Sequence, residues 1–253
     1  MTYLQFHLVF LAPAILVLGG IAWRLRGRAN GRDPGWALPL LAVVAFVYTT
    51  PWDNYLVYRA VWTYGADRVL GTVGYVPVEE YAFFLLQPVL TGLWYLVVRP
   101  WTPPPRPASA AAPRWGGAGF GALAVAGLVL VTAGGHGLYL GLILAWACPV
   151  LAGMWALAGA KLARRRALLA WAVGPPTLYL WVADRVAIGQ GIWDITDATR
   201  TGLDLLGLPV EEAVFFLLTN LLVAQGLVLF LEEGASTSMG SPLSRAPLMS
   251  SRT

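Results

Sequence analysis

Long apolar runs alternate with short polar ones along this chain, and the runs have the length of membrane spans. An α-helix needs about 20 apolar residues to cross a bilayer, and stretches of about that size fall at 4–23, 36–59, 78–98, 116–134, 138–159, 167–187 and 210–231. The pattern predicts an all-α polytopic membrane protein with seven transmembrane helices. The second and sixth spans are the least clean, because each carries an aspartate, Asp53 and Asp184. The first is too long for a cleaved signal peptide, is followed too soon by another span, and lacks a basic leader.

Composition agrees with this solvent. Apolar residues make up 58% of the chain and charged residues 12%, and the mean hydropathy is +0.65. The formal charge of +4 raises nucleic acid as a partner, but the basic residues sit in loops where topology accounts for them, so nucleic acid is excluded. Arg24, Arg26, Arg28 and Arg32 follow the first span. Arg99, Arg106 and Arg114 follow the third, and Lys161, Arg164, Arg165 and Arg166 follow the fifth. In a seven-span chain these loops share one side, which the positive-inside rule makes cytoplasmic. The expected location is therefore the cell membrane, with the N-terminus outside and the C-terminus inside. The single cysteine, Cys148, lies within a span and excludes disulfides and cysteine metal sites. His7 and His136 are isolated, and no metal site is predicted.

A repeat organises the spans. Pro-Val-Glu-Glu occurs at 77–80 and again at 209–212, each time opening an apolar helix with a Phe-Phe-Leu-Leu run, Phe83-Phe84 and Phe215-Phe216. Upstream lie Asp53 and Trp62 in one copy and Asp184 and Trp193 in the other, nine residues apart in both. Each unit reads as three helices, and a lone fourth helix between them lets both units insert in the same sense. The expected architecture is a 3+1+3 parallel duplicated bundle. Its parts are a first domain at 1–99, a Pro-rich linker and connecting helix at 100–137, a second domain at 138–232, and a disordered cytoplasmic tail at 233–253.

The repeated motif has a plain reading, because proline suits a first helical turn and glutamates there face the positive end of the helix dipole. Three features argue for chemistry as well. The pair is duplicated with its aromatics, each copy has an intramembrane aspartate, and ionisable groups in a membrane are costly enough to mark function. Adjacent carboxyls facing a low-dielectric pocket share protons rather than both ionising, and a carboxylic acid in such a pocket suits general acid catalysis. Glu79 and Glu211, with their neighbours Glu80 and Glu212, are the first candidates for an acid and a base. Asp53 and Asp184 come second, with ion pairing or gating as the alternative. Trp62, Tyr81, Phe83, Phe84, Trp193, Phe215 and Phe216 are either packing or interfacial residues, or the wall of a pocket whose π faces stabilise a cation.

These segments resemble a known family, the small membrane-integral lycopene cyclases. Thr50-Pro51-Trp52-Asp53-Asn54-Tyr55 and Gly74 to Tyr81, with the Phe83–Pro88 run, are similar to the family's first domain. Asp184-Arg185, Ile188 to Trp193, Leu208 to Ala213 and Thr219 to Val223 are similar to its second. The order is that of the fused, single-chain form, and the resemblance covers the chain apart from linker and tail. It implies a redox-neutral isomerase that protonates the ψ ends of lycopene, closes β-rings and forms γ-carotene and then β-carotene. It implies a lipophilic carotenoid substrate, contact with membrane lipid, and other carotenoid enzymes as candidate partners. No cofactor is expected, and no dinucleotide fingerprint follows a strand. The competing readings are a carotenoid hydratase, which traps the same cation with water, and a small 3+1+3 membrane transporter. A retinal photoreceptor is excluded because the only lysine, Lys161, lies in a basic loop.

Overall fold

A computed structural model describes residues 1–26 and 35–232. The expected tail from residue 233, and Arg28 and Arg32 of the first basic loop, lie outside the described residues. Seven long helices account for most of the described chain: α1 (Tyr3–Leu25), α2 (Ala37–Tyr58), α3 (Val78–Val98), α4 (Ala112–Ala133), α5 (Leu138–Arg164), α6 (Arg166–Gly189) and α7 (Val210–Glu232). They coincide with the seven apolar runs to within a few residues. Five are long and apolar enough to cross a membrane on composition alone. The other two, α2 and α6, carry Asp53 and Asp184 within their length. The outward faces of five of the helices leave Leu16, Val47, Val129, Leu157 and Val182 exposed, a surface suited to lipid rather than water.

Each helix begins where local chemistry allows. The N-terminus of α1 is a capping box, in which Gln5 N donates to Thr2 Oγ1 at 3.2 Å and Thr2 N donates to Gln5 Oε1 at 2.9 Å. A π-helical turn at His7–Leu11 then widens this helix. Pro77 departs from the expected first-turn position. It is the cap residue just before α3, in extended conformation, because the chain there forms strand β3 (Val76–Pro77). β3 pairs antiparallel with β2 (Thr72–Val73), and a matching hairpin of β5 (Asp204–Leu205) and β6 (Leu208–Pro209) precedes α7. Leu206 and Gly207 both take positive φ in the second turn, as a two-residue hairpin turn requires.

The two halves of the chain meet through equivalent parts. α1 and α2 both pack on α3, as α5 and α6 pack on α7, while α3 lies against α6 and α7. Above the helices, β1 (Trp62–Tyr64) pairs antiparallel with β4 (Trp193–Ile195) in the register Trp62↔Ile195, Thr63↔Asp194 and Tyr64↔Trp193. Exchanging the two copies maps this register onto itself. Two hydrogen bonds repeat the relation inside the bundle. Tyr48 of α2 donates to the Trp146 carbonyl of α5 at 2.9 Å, and Tyr179 of α6 donates to the Phe10 carbonyl of α1 at 2.7 Å. A buried polar knot lies between the halves, where Asn220 Oδ1 accepts from Gln87 at 2.7 Å and Thr91 at 2.5 Å, and Asn220 Nδ2 donates to Thr177 at 2.9 Å.

The remaining helix, α4, packs along α5 and buries little else. The Pro-rich segment before it docks on the α5–α6 turn, where Arg106 N donates to the Arg164 carbonyl at 3.0 Å. The α4–α5 contact depends on small residues, as helix pairs in lipid do. A methyl group at Gly127 would come within 2.6 Å of the Ala145 nitrogen, whereas Gly121 on the same helix faces open space. Gly127→Leu is therefore expected to destabilise the fold by about 1–3 kcal/mol through overpacking, read as a lower unfolding temperature in detergent. Gly121→Leu is expected to leave it unchanged. Equal effects at both positions would contradict this packing.

Candidate active site

The two Pro-Val-Glu-Glu motifs place their glutamates in different environments, and the division is the same in both copies. Glu79 and Glu211 are buried and turn back toward the loops that precede their helices. Glu79 Oε1 accepts a hydrogen bond from Leu70 N at 2.8 Å, and Glu211 Oε1 accepts one from Thr201 N at 2.6 Å. They sit in the first turn of α3 and α7, where the helix dipole favours acidic side chains. Their geometry is that of braces for the two outer loops.

Glu80 and Glu212 turn inward and line one shared pocket. Its wall comes from both halves: Tyr3 and Phe6 of α1, Trp62 and Tyr64 of β1, Glu80 and Phe83 of α3, Asp184 of α6, Trp193 and Ile195 of β4, and Glu212, Phe215 and Phe216 of α7. The cavity between them has a volume of about 40 Å³. Equivalent tyrosines hold the two carboxyls, since Tyr3 OH donates to Glu80 Oε2 at 2.6 Å and Tyr139 OH donates to Glu212 Oε1 at 2.5 Å. Glu80 has a second donor, Tyr64 OH, at 3.1 Å, and the position matching Tyr64 in the other copy is Ile195. Glu80 is half-buried and Glu212 is buried.

The aspartates complete the cluster. Asp184 lines the pocket, and its Oδ1 accepts from Trp193 Nε1 at 3.0 Å. Asp53 lies behind the lining, and both aspartates interact electrostatically with Glu80 and Glu212. Asp53 and Asp184 are each 1% exposed, and one oxygen of each has no protein hydrogen-bond partner. Among the described residues, no basic side chain lines the pocket. Four carboxyl groups brought together in apolar surroundings without a counter-cation share protons instead of all carrying charge. Tyr64, on the strand outside the helices, has its phenol pushed well above the usual value by burial first and then by Glu80 and Asp53. It therefore stays protonated and remains a donor. Among the described residues no group of His, Cys, Asp and Glu could hold a metal ion.

Of the aromatics singled out in the sequence, Trp62, Phe83, Trp193, Phe215 and Phe216 line this pocket. Phe84 lines an adjoining apolar cavity instead. Tyr81 stands apart, donating to the Val73 carbonyl at 2.8 Å and accepting from Asn54 at 3.0 Å, so it secures the β2–β3 hairpin. Sequence reasoning missed Tyr3, Tyr64 and Tyr139. A signal for two of them was present: Tyr-Leu opens the first helix of each unit, at 3–4 and at 139–140, with a proline ten residues on in both, Pro13 and Pro149. Trp52 lies behind the lining, stacked on Trp146 at 4.7 Å and on Phe215 at 5.9 Å between centroids.

An all-helical membrane protein with a carboxyl cluster between the two copies of its repeated motif is the class that fold and site define. More particularly, the chain belongs to the lycopene cyclase family, whose model matches residues 1–98 and 136–230, taking in both repeats. It is 44% identical over 238 residues to a lycopene beta-cyclase of Halobacterium salinarum, covering 90% of this chain and 95% of that one. It is 39% identical over 237 residues to a bifunctional lycopene cyclase/phytoene synthase of Gibberella fujikuroi, covering 89% of this chain and 39% of the longer protein. A protein of the same description from Phycomyces blakesleeanus is 32% identical over 229 residues, covering 87% of this chain and 37% of that one. No solved structure matches the chain.

The bracing role of the outer glutamates has a direct consequence. Glu79→Ala or Glu211→Ala leaves a loop amide without its acceptor, at a cost of about 1–3 kcal/mol, so the Leu70 or Thr201 amide should exchange hydrogen faster. Gln at either position keeps an acceptor oxygen and should preserve slow exchange. The same exchange rate in the Ala and Gln variants would contradict the assignment.

Proposed function

We propose that this chain is a lycopene β-cyclase and that its chemistry takes place at the inner carboxyl cluster. The observation that carries the reading is the joining of Glu80, Glu212 and Asp184 in one aromatic-walled pocket, in a chain of the lycopene cyclase family. A carboxylic acid of the cluster donates its proton to C2 of a ψ end, leaving a tertiary cation at C1. The C5=C6 double bond attacks this centre, forming the C1–C6 bond and moving the cation to C5. A carboxylate then removes the proton on C6, and the C5=C6 double bond re-forms within a β-ring. One proton is added and one is lost, so the step is an isomerisation without net redox change and draws on no redox cofactor.

The division of labour follows the hydrogen bonds. Glu80 and Glu212 face the pocket that receives the polyene end as its rings move apart, and Tyr3, Tyr64 and Tyr139 orient them as the proton moves. Asp53 and Asp184 hold charge and protons beside them. The indole and phenyl faces of Trp62, Trp193, Phe215 and Phe216 offer π density to the cation and keep water away, which favours proton loss over capture of water. Glu79 and Glu211 contribute through the loops they brace. The bundle is read as 3+1+3, supported by the matching contacts of the two halves and the self-mapping β1–β4 register. It sits in the cell membrane with its N-terminus outside. Its substrate comes from the lipid phase, and other carotenoid enzymes are its candidate partners.

Expression in a bacterium that accumulates lycopene tests the reading. The expected pigment is β-carotene; unchanged lycopene would contradict the assignment, and γ-carotene alone would restrict it to one end. Glu80→Gln and Glu212→Gln should each reduce conversion by roughly 100-fold or more, the scale of losing a general acid or base. Glu79→Gln and Glu211→Gln should retain most activity. Loss confined to the outer pair would overturn the assignment of the inner pair.

A further inference from the structure

Two lateral cavities open between the halves of the bundle, and they are counterparts under the internal repeat. One lies between α2 and α5, with Val44, Ala45 and Tyr48 on one side and Val150 and Met154 on the other. The second lies between α6 and α1, with Pro175, Pro176 and Tyr179 facing Ala14 and Leu18. These residues occupy matching positions of the two copies. Each is bridged by one of the equivalent tyrosine hydrogen bonds, from Tyr48 to Trp146 and from Tyr179 to Phe10.

The two differ in what lies behind them. The α2–α5 cavity shares Phe83 and Phe215 with the carboxyl pocket, so only those two rings separate its apolar space from Glu80 and Glu212. The α1–α6 cavity shares no lining residue with that pocket. Where α2 has Thr49 lining its cavity, α6 has Leu180, 1% exposed and packed among Phe6, Phe83, Phe84 and Phe216. Where α7 has Gly226, α3 has Trp94, which lines the α1–α6 cavity and donates to the Trp171 carbonyl at 2.7 Å. The matching positions thus carry larger side chains on the α1–α6 side, at Leu180 and Trp94, than on the α2–α5 side, at Thr49 and Gly226.

We propose that the α2–α5 gap is the single doorway and binding groove for the polyene: one end passes between Phe83 and Phe215 to the carboxyls while the chain behind it lies in this cavity. The proposal rests on the cyclase reading above. Its occupant is an uncharged, extended, conjugated hydrocarbon, because the cavity adjoins the acid pocket across Phe83 and Phe215, is also walled by Tyr48 and Trp146, and has no charged lining residue. Steric access, not the symmetry of the carboxyls, then decides how substrate reaches them. A single doorway also means that the two ends react one after the other, with the half-cyclised molecule turned end for end between steps.

Matched substitutions in the two gaps test this. Val150→Trp fills the proposed doorway, and Ala14→Trp fills the counterpart position; both residues are half-buried. In lycopene-producing cells Val150→Trp should lower cyclisation by roughly tenfold or more, because an end that is not placed does not react. Ala14→Trp should stay within about twofold of wild type. To separate blocked access from misfolding, Val150→Cys and Ala14→Cys are placed in a Cys148→Ala, Glu80→Gln background and labelled with a lipid-soluble maleimide. Lycopene should protect Val150→Cys and not Ala14→Cys. Wild-type conversion with undiminished activity in Val150→Trp, or protection at Ala14→Cys alone, would overturn the doorway while leaving the cyclase reading intact. Failure of the wild type to convert lycopene would overturn that reading, and the doorway with it.

Discussion

Burying four carboxyl groups among aromatic rings, with no cation beside them, is the constraint on which the rest of this structure depends. An unpaired buried charge is among the most expensive things a protein can hold, and a membrane interior makes it more so. Here the cost is met by protons and by neutral donors. Phenols of Tyr3, Tyr64 and Tyr139 and the indole of Trp193 reach the carboxyl oxygens. Each donor comes from a different element, so α1, β1, α5 and β4 must all be in place before the cluster is satisfied. The pairing of β1 with β4 across the two halves is part of the same requirement, because it delivers Tyr64 and Trp193 together. Fold and site are one problem in this molecule: each carboxyl takes its donors from its own half, and the two halves together wall the pocket around them.

Duplication supplied the parts, and departures from it supplied the direction. Tyr3 and Tyr139, Glu80 and Glu212, Asp53 and Asp184, and Trp62 and Trp193 are matching pairs. Yet Glu80 accepts from two phenols and Glu212 from one, because the counterpart of Tyr64 is Ile195. Trp193 bonds Asp184, whereas the Trp62 indole nitrogen has no such partner. A reaction that needs both a proton donor and a proton acceptor needs two inequivalent carboxyl environments. These differences are where such inequivalence can arise.

Much of this was legible from the sequence. Seven apolar runs of bilayer length gave the helices, because hydropathy is the dominant constraint on a chain in lipid. The repeat with its two aspartates pointed to residues that the fold brings around one pocket, because ionisable residues are costly there. What the sequence did not disclose was orientation. Glu79 and Glu80 are neighbours, but successive helical residues point about 100° apart, so one can bind a loop amide while the other enters the pocket. No pattern in one chain tells which, and the leading candidates fell on the two that brace loops. Tyr3, Tyr64 and Tyr139 were missed for a related reason: a tyrosine at a membrane boundary looks like an interfacial anchor until the partner of its hydroxyl is known. Tyr81 was misleading in the opposite sense, since its place beside the motif suggested the pocket and its hydroxyl in fact secures a hairpin.

The central claim is that a proton held by the inner carboxyls is delivered to the polyene and remains in the product. Cyclisation of lycopene by the purified protein in deuterated water, followed by mass spectrometry and NMR of the carotene formed, tests it most directly. Carboxyl protons exchange with solvent between turnovers, so the account predicts one deuteron at C2 of every ring closed. β-Carotene formed without deuterium would mean that the hydrogen moved within the substrate, and the carboxyl cluster would lose the role given to it.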